Sequence, residues 1–373
     1  MTSLEAAIAT VAPLDAAAMA GAGRRLDALT KPPGSLGRLE ELAIRLAGIR
    51  GDEAPSIARR TIVIVAADHG IAGRGVSAYP PEVTAQMVAN FLSGGAAINV
   101  LASLVGADVV VVDAGVAGPI PRQPGGPSDS SRRFVSAPIR PGTADMSVGP
   151  AMSGAEAMSA VKLGLAIADD IAARGTDVVA VGEMGIGNTT AASALTAVLT
   201  GLPVAAVTGR GTGLDEAAIR AKVELIERAI AVNRADLDDP LGALAAVGGL
   251  EIATLVGLII GAAARGLPIV LDGFITGAAA LVAACLCPAL PPRLIASHRS
   301  TEPGHAAVLA RLGLQPLLEL DLRLGEGSAA AVALGLLVAA CAVRDEMATF
   351  ASAGVSGPAR HSPEGWPSGG RGV

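Results

Sequence analysis

Cysteine, histidine and aromatic residues are scarce in this chain. Its 373 residues include three cysteines, four histidines, one Trp, one Tyr and four Phe. Cys285, Cys287 and Cys341 lie in apolar stretches without metal-type spacing. They read as free buried thiols in a reducing compartment, not as a disulfide framework. Four histidines leave little material for a His-based metal centre, and no metal site is expected. Basic charge is also short: the net charge is −6 and the pI about 5.3, with no footprint for nucleic acid. No Gly-Lys-Ser/Thr occurs, which removes the Walker A loop and the kinase and ATPase readings with it. Met1-Thr-Ser-Leu-Glu5 has no basic segment leading into an apolar core, so no secretory signal is expected. Mean hydropathy is high, at +0.54. The longest apolar stretches, 255–264, 273–287 and 329–343, still fall short of the roughly 18–20 residues of a spanning helix. They are read as core helices of a cytoplasmic protein with no membrane partner.

What the chain has in quantity is small and aliphatic: 51% of it is hydrophobic and 47 residues are glycine. A core of Ala, Val, Leu and Ile with backbones close together suits helices laid on a parallel sheet. Residues 1–60 look helical. Pro32-Pro33-Gly34 breaks the chain, Ser35 is placed to cap the next helix, and Leu36, Leu39, Leu42, Leu46 and Ile49 recur at helical spacing. Beyond them, β-branched runs at 61–67, 108–112, 177–181, 203–207, 268–271 and 294–296 alternate with Ala-rich helical stretches. The runs lack polar alternation, as strands buried on both faces do. The expectation is an α/β fold with a doubly wound, mostly parallel sheet. Residues 119–133 read as an exposed loop, and 353–373 as a disordered tail.

The ends of these runs carry the chemistry. They lead into Asp68-His69-Gly70, Asp113-Ala-Gly115, Gly182-Glu183, Thr208-Gly209-Arg210, Asp272-Gly273 and Ser297-His298-Arg299. Ligands of open parallel sheets bind outside the carboxyl ends of the strands. One such end is ordinary turn chemistry; six together point to a functional edge.

Val181-Gly-Glu-Met-Gly-Ile-Gly-Asn-Thr-Thr190 follows a strand and opens a helix. Gly185 and Gly187 allow close backbone approach, and the helix start favours an anion such as phosphate. It is a poor dinucleotide fingerprint, because Thr190 stands at the sixth position and no acid follows about 20 residues on. A second turn, Thr208-Gly-Arg-Gly-Thr-Gly213, precedes a helix with Thr212 and Asp215 in capping-box positions. Lys222 flanks that helix's stripe of Ile219, Val223, Ile226 and Ile230. It reads either as a snorkelling lysine or as a cation for a phosphate. His298 and His305 belong to a polar loop and read as ordinary loop polarity. Glu326, between Gly325 and Gly327, reads either as a helix cap or as an unshielded group for a ligand.

These motifs, with Lys31-Pro-Pro-Gly-Ser-Leu-Gly37, Gly75-Val-Ser-Ala-Tyr-Pro-Pro-Glu-Val-Thr84 and Asn90-Phe-Leu-Ser-Gly-Gly95, occur in an order that resembles one family. It is the nicotinate-nucleotide–dimethylbenzimidazole phosphoribosyltransferase family of cobalamin biosynthesis, and the resemblance runs from about residue 5 to 350. It implies a Rossmann-like large domain (61–324), a small helical domain from both chain ends (1–60 and 325–352), and a homodimer. It implies transfer of phosphoribose from nicotinate mononucleotide to 5,6-dimethylbenzimidazole without a cofactor. By the same resemblance Glu326 is the general base and Glu183 a second active-site acid. Gly185, Gly187, Asn188, Thr189, Lys222, Asp272, Ser300 and Gly325 form the nucleotide-binding surface. Tyr79, Gln86 and Met87 line the base pocket, and Tyr79 replaces a small polar residue of some members. A protein that only binds a nucleotide or azole, and an NAD-dependent dehydrogenase, are the competing readings.

Overall fold

Six parallel strands run through the middle of the molecule, in a computed structural model that describes residues 3–121 and 132–357. They are β1 (Arg60–Ala67), β2 (Ala107–Gly115), β3 (Arg132–Ser136), β4 (Val178–Met184), β5 (Ile269–Leu271) and β6 (Leu294–Ala296). The sheet order is β3-β2-β1-β4-β5-β6, so the winding reverses between β1 and β4. This is a doubly wound α/β sheet, and that reversal is where such sheets form a crevice for ligands.

Both faces are covered, as the unbroken apolar runs require. Val63, Val65 and Ala67 of β1 point to one core, shared with the helices Gly154–Ala173, Asn188–Thr200, Leu250–Ala264 and Phe274–Leu286. Ile62, Ile64 and Ala66 point to the other, with the helices Arg38–Arg50, Val83–Ser93, Ala97–Leu104 and Ser328–Glu346. The alternation is the period-two geometry of a strand. Glycine permits the tightest packing. A Cβ on Gly257 would overlap the Val161 carbonyl, and one on Gly164 the Thr254 carbonyl, where two helices cross. The three cysteines are free.

Several expectations need correction. Residues 203–207 are not a strand. Val204–Val207 is a single helical turn, with Val204 and Val207 buried and Ala205 and Ala206 exposed. The apolar contacts repeat every three residues, not every two. The strand not expected is β3, whose first two residues were expected at the end of an exposed loop. β3 pairs with β2 at the sheet edge and is only half-buried, so it lacks the apolar run that marks the inner strands. The rest of that loop, from 122 to 131, lies outside the described residues, as does the tail from 358 onward. Ser35 does not cap the next helix; Gly37 stands at its start, in a left-handed conformation with φ 52°. Length also fails as an argument against membrane spans. Ser328–Glu346 has 19 residues and is long and apolar enough to cross a membrane, as is the stretch Val83–Leu104. The latter is two helices broken at Gly94, and over half of the former is buried inside the protein.

Candidate active site

The carboxyl ends of β4 and β5 and the loop before the helix Ser328–Glu346 bring three acids together. Glu183 is the penultimate residue of β4, Asp272 follows β5, and Glu326 sits two residues before the helix. All three are buried. Glu326 has φ 65°, a left-handed backbone that a non-glycine residue rarely adopts, between Gly325 and Gly327 at φ 86° each. Gly182 makes this loop possible, because any Cβ there would overlap the 326–327 backbone.

Asp272, expected on the nucleotide-binding surface, takes the capping role that was the alternative for Glu326. Asp272 accepts the N–H of Gly327 at 3.2 Å and of Ala330 at 3.0 Å. It therefore caps the helix Ser328–Glu346. That leaves Glu326 free of the capping role read as its alternative. Glu183 accepts from the Asn188 amide and lies against Gly325, where a Cβ would come within 2.7 Å of its Oε1.

Among the described residues no basic group forms an ion pair with these three acids. Burial, with repulsion from Asp272, raises the Glu326 pKa to about 7. Burial raises Asp272 to about 7 against its backbone hydrogen bonds. Glu183 is pushed well above the usual carboxylate range by burial, then by Asp272, Glu251 and Glu326. Buried acids held without counter-ions are unfavourable for stability. Such a cluster in a crevice marks a functional site.

The glycine turn after β4 leads from the acids to a second cluster. Gly187 takes φ 98° and starts the helix Asn188–Thr200. The next residue but one, Thr189, accepts a hydrogen bond from Lys222 Nζ at 2.8 Å. Lys222 is 1% exposed, which rules out the snorkelling reading. Burial lowers its pKa to about 8, with Glu302 opposing the shift. Glu302 accepts from the Gly211 N–H at 2.9 Å. Its N–H lies 3.3 Å from the Ser300 hydroxyl. A cleft of about 680 Å³ opens beside Thr208, Arg210, Thr301, Glu302 and Arg323. Thr212 is not part of a cap. Asp215 alone caps the helix Glu216–Val232, and Thr212 accepts the Ala78 N–H at 2.9 Å.

Tyr79, Gln86 and Met87 lie on a segment fastened to both glycine turns. Thr212 holds one end, and Thr84 accepts the Ile186 N–H at 3.1 Å. Tyr79 is 56% exposed. His298 and His305 are not ordinary loop polarity: both are buried, His298 between the carbonyls of Asp272 and Leu322, and His305 accepting the Ser300 N–H at 3.0 Å. Sequence reasoning missed Glu251 and gave Glu302 no role. The signal for Glu251 was present: one acid in the first turn of an otherwise apolar helix, straight after Gly248-Gly249. Among the described residues no group of three or more His, Cys, Asp or Glu is placed to hold a metal ion.

Fold and site together define a Rossmann-like α/β protein with buried acids and a buried lysine joined by one glycine turn. Comparison with known proteins narrows the class. A family model described as a phosphoribosyltransferase matches residues 11–355. The nicotinate-nucleotide–dimethylbenzimidazole phosphoribosyltransferase of Roseiflexus sp. is 55% identical over 357 residues, covering 96% of this chain and 99% of that protein. The enzyme of the same name from Chloroflexus aggregans is 56% identical over 356 residues, covering 95% and 99%. Among solved structures, the CobT protein of Thermus thermophilus superposes with a TM-score of 0.84 at 48% identity, covering 91% of this chain and 99% of that one. The chain belongs to this phosphoribosyltransferase family.

Proposed function

We propose that the protein transfers the 5-phosphoribosyl group of nicotinate mononucleotide to 5,6-dimethylbenzimidazole, giving α-ribazole 5′-phosphate and nicotinate. One benzimidazole nitrogen attacks ribose C1′ as the bond from C1′ to the pyridinium nitrogen breaks. The electron pair of that bond neutralises the pyridinium, and nicotinate leaves. Glu326 takes the N–H proton from the other benzimidazole nitrogen. A general base works best with a pKa near the working pH, and Glu326 at about 7 meets that condition. Glu183 faces the cationic donor and the oxocarbenium-like charge at C1′, and that positive charge favours its ionised form. Lys222, Thr189, Gly185, Gly187, Asn188 and Ser300 hold the donor's phosphate end. Asp272 holds the Glu326 loop. Tyr79, Gln86 and Met87 face the base.

The observation that carries the proposal is Glu326: a buried, strained and unpaired carboxyl at the crevice of the sheet. The names and near-complete coverage of the relatives support the choice of substrates. We also propose a cytoplasmic homodimer, with no membrane or nucleic-acid partner. Burial of the helix Ser328–Glu346 against both the sheet and Arg38–Arg50 supports its reading as a core helix. The chain ends are proposed to form one small helical unit. Arg25 donates to the carbonyls of Arg344 and Met347 at 3.0 and 2.9 Å. The test is product analysis by liquid chromatography and mass spectrometry, with EDTA present. Nicotinate and α-ribazole phosphate are expected in equal amounts. Binding of both substrates without product would favour a binding protein instead.

A further inference from the structure

Behind the glycine turn lies a buried ion pair that the proposed chemistry does not use. His69 follows β1 and Glu251 is in the first turn of the helix Leu250–Ala264. They are 4% and 0% exposed, with His69 Nε2 2.7 Å from Glu251 Oε1. Burial disfavours the charged ring, but Glu251 and then Asp68 outweigh it and raise the His69 pKa.

The ring is a spacer. A Cβ on Gly185 would meet its Cδ2 at 3.4 Å, one on Gly187 would meet the His69 Cβ at 3.3 Å, and one on Gly249 would overlap its Cε1. His69 therefore fills the gap between the turn after β4 and the start of the helix that carries Glu251. Nor is the pair self-contained, as a purely structural core pair would be. Glu251 Oε2 is buried without a hydrogen-bond partner, and the Glu251 charge acts on Glu183. Buried ion pairs add little stability over well-packed apolar side chains, so stability alone is a weak reason for one here.

We propose that His69 is a positioning residue: clamped to Glu251, its ring fixes the turn Gly185-Ile186-Gly187 so that Asn188 meets Glu183 and the following helix faces the phosphoribosyl donor. This rests on the phosphoribosyl-transfer reading. It assigns His69 to the donor and not to the base.

The full-length protein is assayed by nicotinate release, and donor affinity is measured by calorimetry with nicotinate mononucleotide. His69→Asn is too short to reach Glu251, whereas His69→Gln keeps an N–H donor toward it. His69→Asn is expected to weaken donor binding and raise the donor KM about tenfold, the effect of one lost interaction with a charged group. The KM for dimethylbenzimidazole should stay within about twofold, and His69→Gln should recover most of the loss. Glu251→Gln keeps an acceptor for the ring and is expected to change donor affinity less than about threefold. Equal increases in both KM values, no difference between Asn and Gln, or unchanged donor affinity in all variants would overturn the proposal while the transferase reading stands. A wild-type protein that neither binds the donor nor releases nicotinate would overturn both.

Discussion

The two ends of the one sheet hold their charge in opposite ways. At the amino edge, basic and acidic groups are matched and wet. Arg133 and Arg174 share Asp170, and Arg50 lies 3.9 Å from Asp177, which also accepts the Arg59 N–H. The carbonyls of Ile57 and Val105 take the Arg60 guanidinium. At the carboxyl edge, Glu183, Asp272 and Glu326 are buried with one another. Paired surface charge is nearly neutral for stability. Buried unpaired charge is not. The unfavourable arrangement persists at the carboxyl ends of β4 and β5, and there a cationic substrate and a proton-accepting step would use it.

The largest effect expected at the carboxyl edge is on turnover. Glu326→Gln should lower kcat by about 10²–10⁴-fold, the usual contribution of a general base, with the fold intact by circular dichroism. Near-normal turnover would remove Glu326 from the mechanism and leave the acid cluster without a role. The second effect separates the two clusters. Lys222→Ala should raise the Kd for nicotinate mononucleotide about 10–100-fold, as loss of a charge-assisted contact does, with kcat falling less. An unchanged Kd would confine the site to the acids alone.

The third effect is a stability difference whose sign depends on the unpaired state of Glu326. Its folded pKa, about 7, lies above the ordinary 4.5. A raised carboxyl pKa means that the unfolded chain ionises first, so the folded state loses stability as pH rises from about 4.5 to 7. Glu326→Gln removes that penalty. The variant should melt higher than wild type at pH 8, and the difference should vanish toward pH 4. In parallel, wild-type kcat/KM should rise with pH and level off near 7, and the variant should lose that limb. A variant less stable at pH 8 would mean that Glu326 has a favourable partner in solution.

The same contrast explains what could be read from the sequence. Strands buried on both faces announce themselves as apolar runs ending in acids, glycines and hydroxyls: the inner strands β1, β2, β4 and β5, and the fully buried edge strand β6. β3, at the opposite edge, begins Arg132-Arg133, is only half-buried and has no such run. The turn at 204–207 imitates a strand in composition, and only the spacing of Val204 and Val207 betrays it. Glu183 and Asp272 were visible beside glycines at strand ends, and Glu326 between two glycines ahead of an apolar helix. Glu251 carried a similar sign, an acid just after Gly248-Gly249, but its partner His69 is 182 positions away in the chain and no spacing links the two. Capping was the alternative reading for Glu326, and only the hydrogen bonds from Gly327 and Ala330 show that Asp272 caps that helix instead.

The smallest effect belongs to the amino edge. Asp170 is the shared partner of Arg133 and Arg174, and its side chain is 38% exposed. Removing it leaves two arginines, but both reach solvent, with side chains 30% and 62% exposed. Water can replace the carboxylate, so Asp170→Ala should change stability by less than about 1 kcal/mol. Activity should be unchanged, since the pair lies at the opposite end of the strands from Glu326. Any loss should also shrink with added salt, because exposed pairs are screened. A loss of several kcal/mol that ignores salt would show that the amino edge is as dependent on its charges as the carboxyl edge, and the contrast between the two ends would fail.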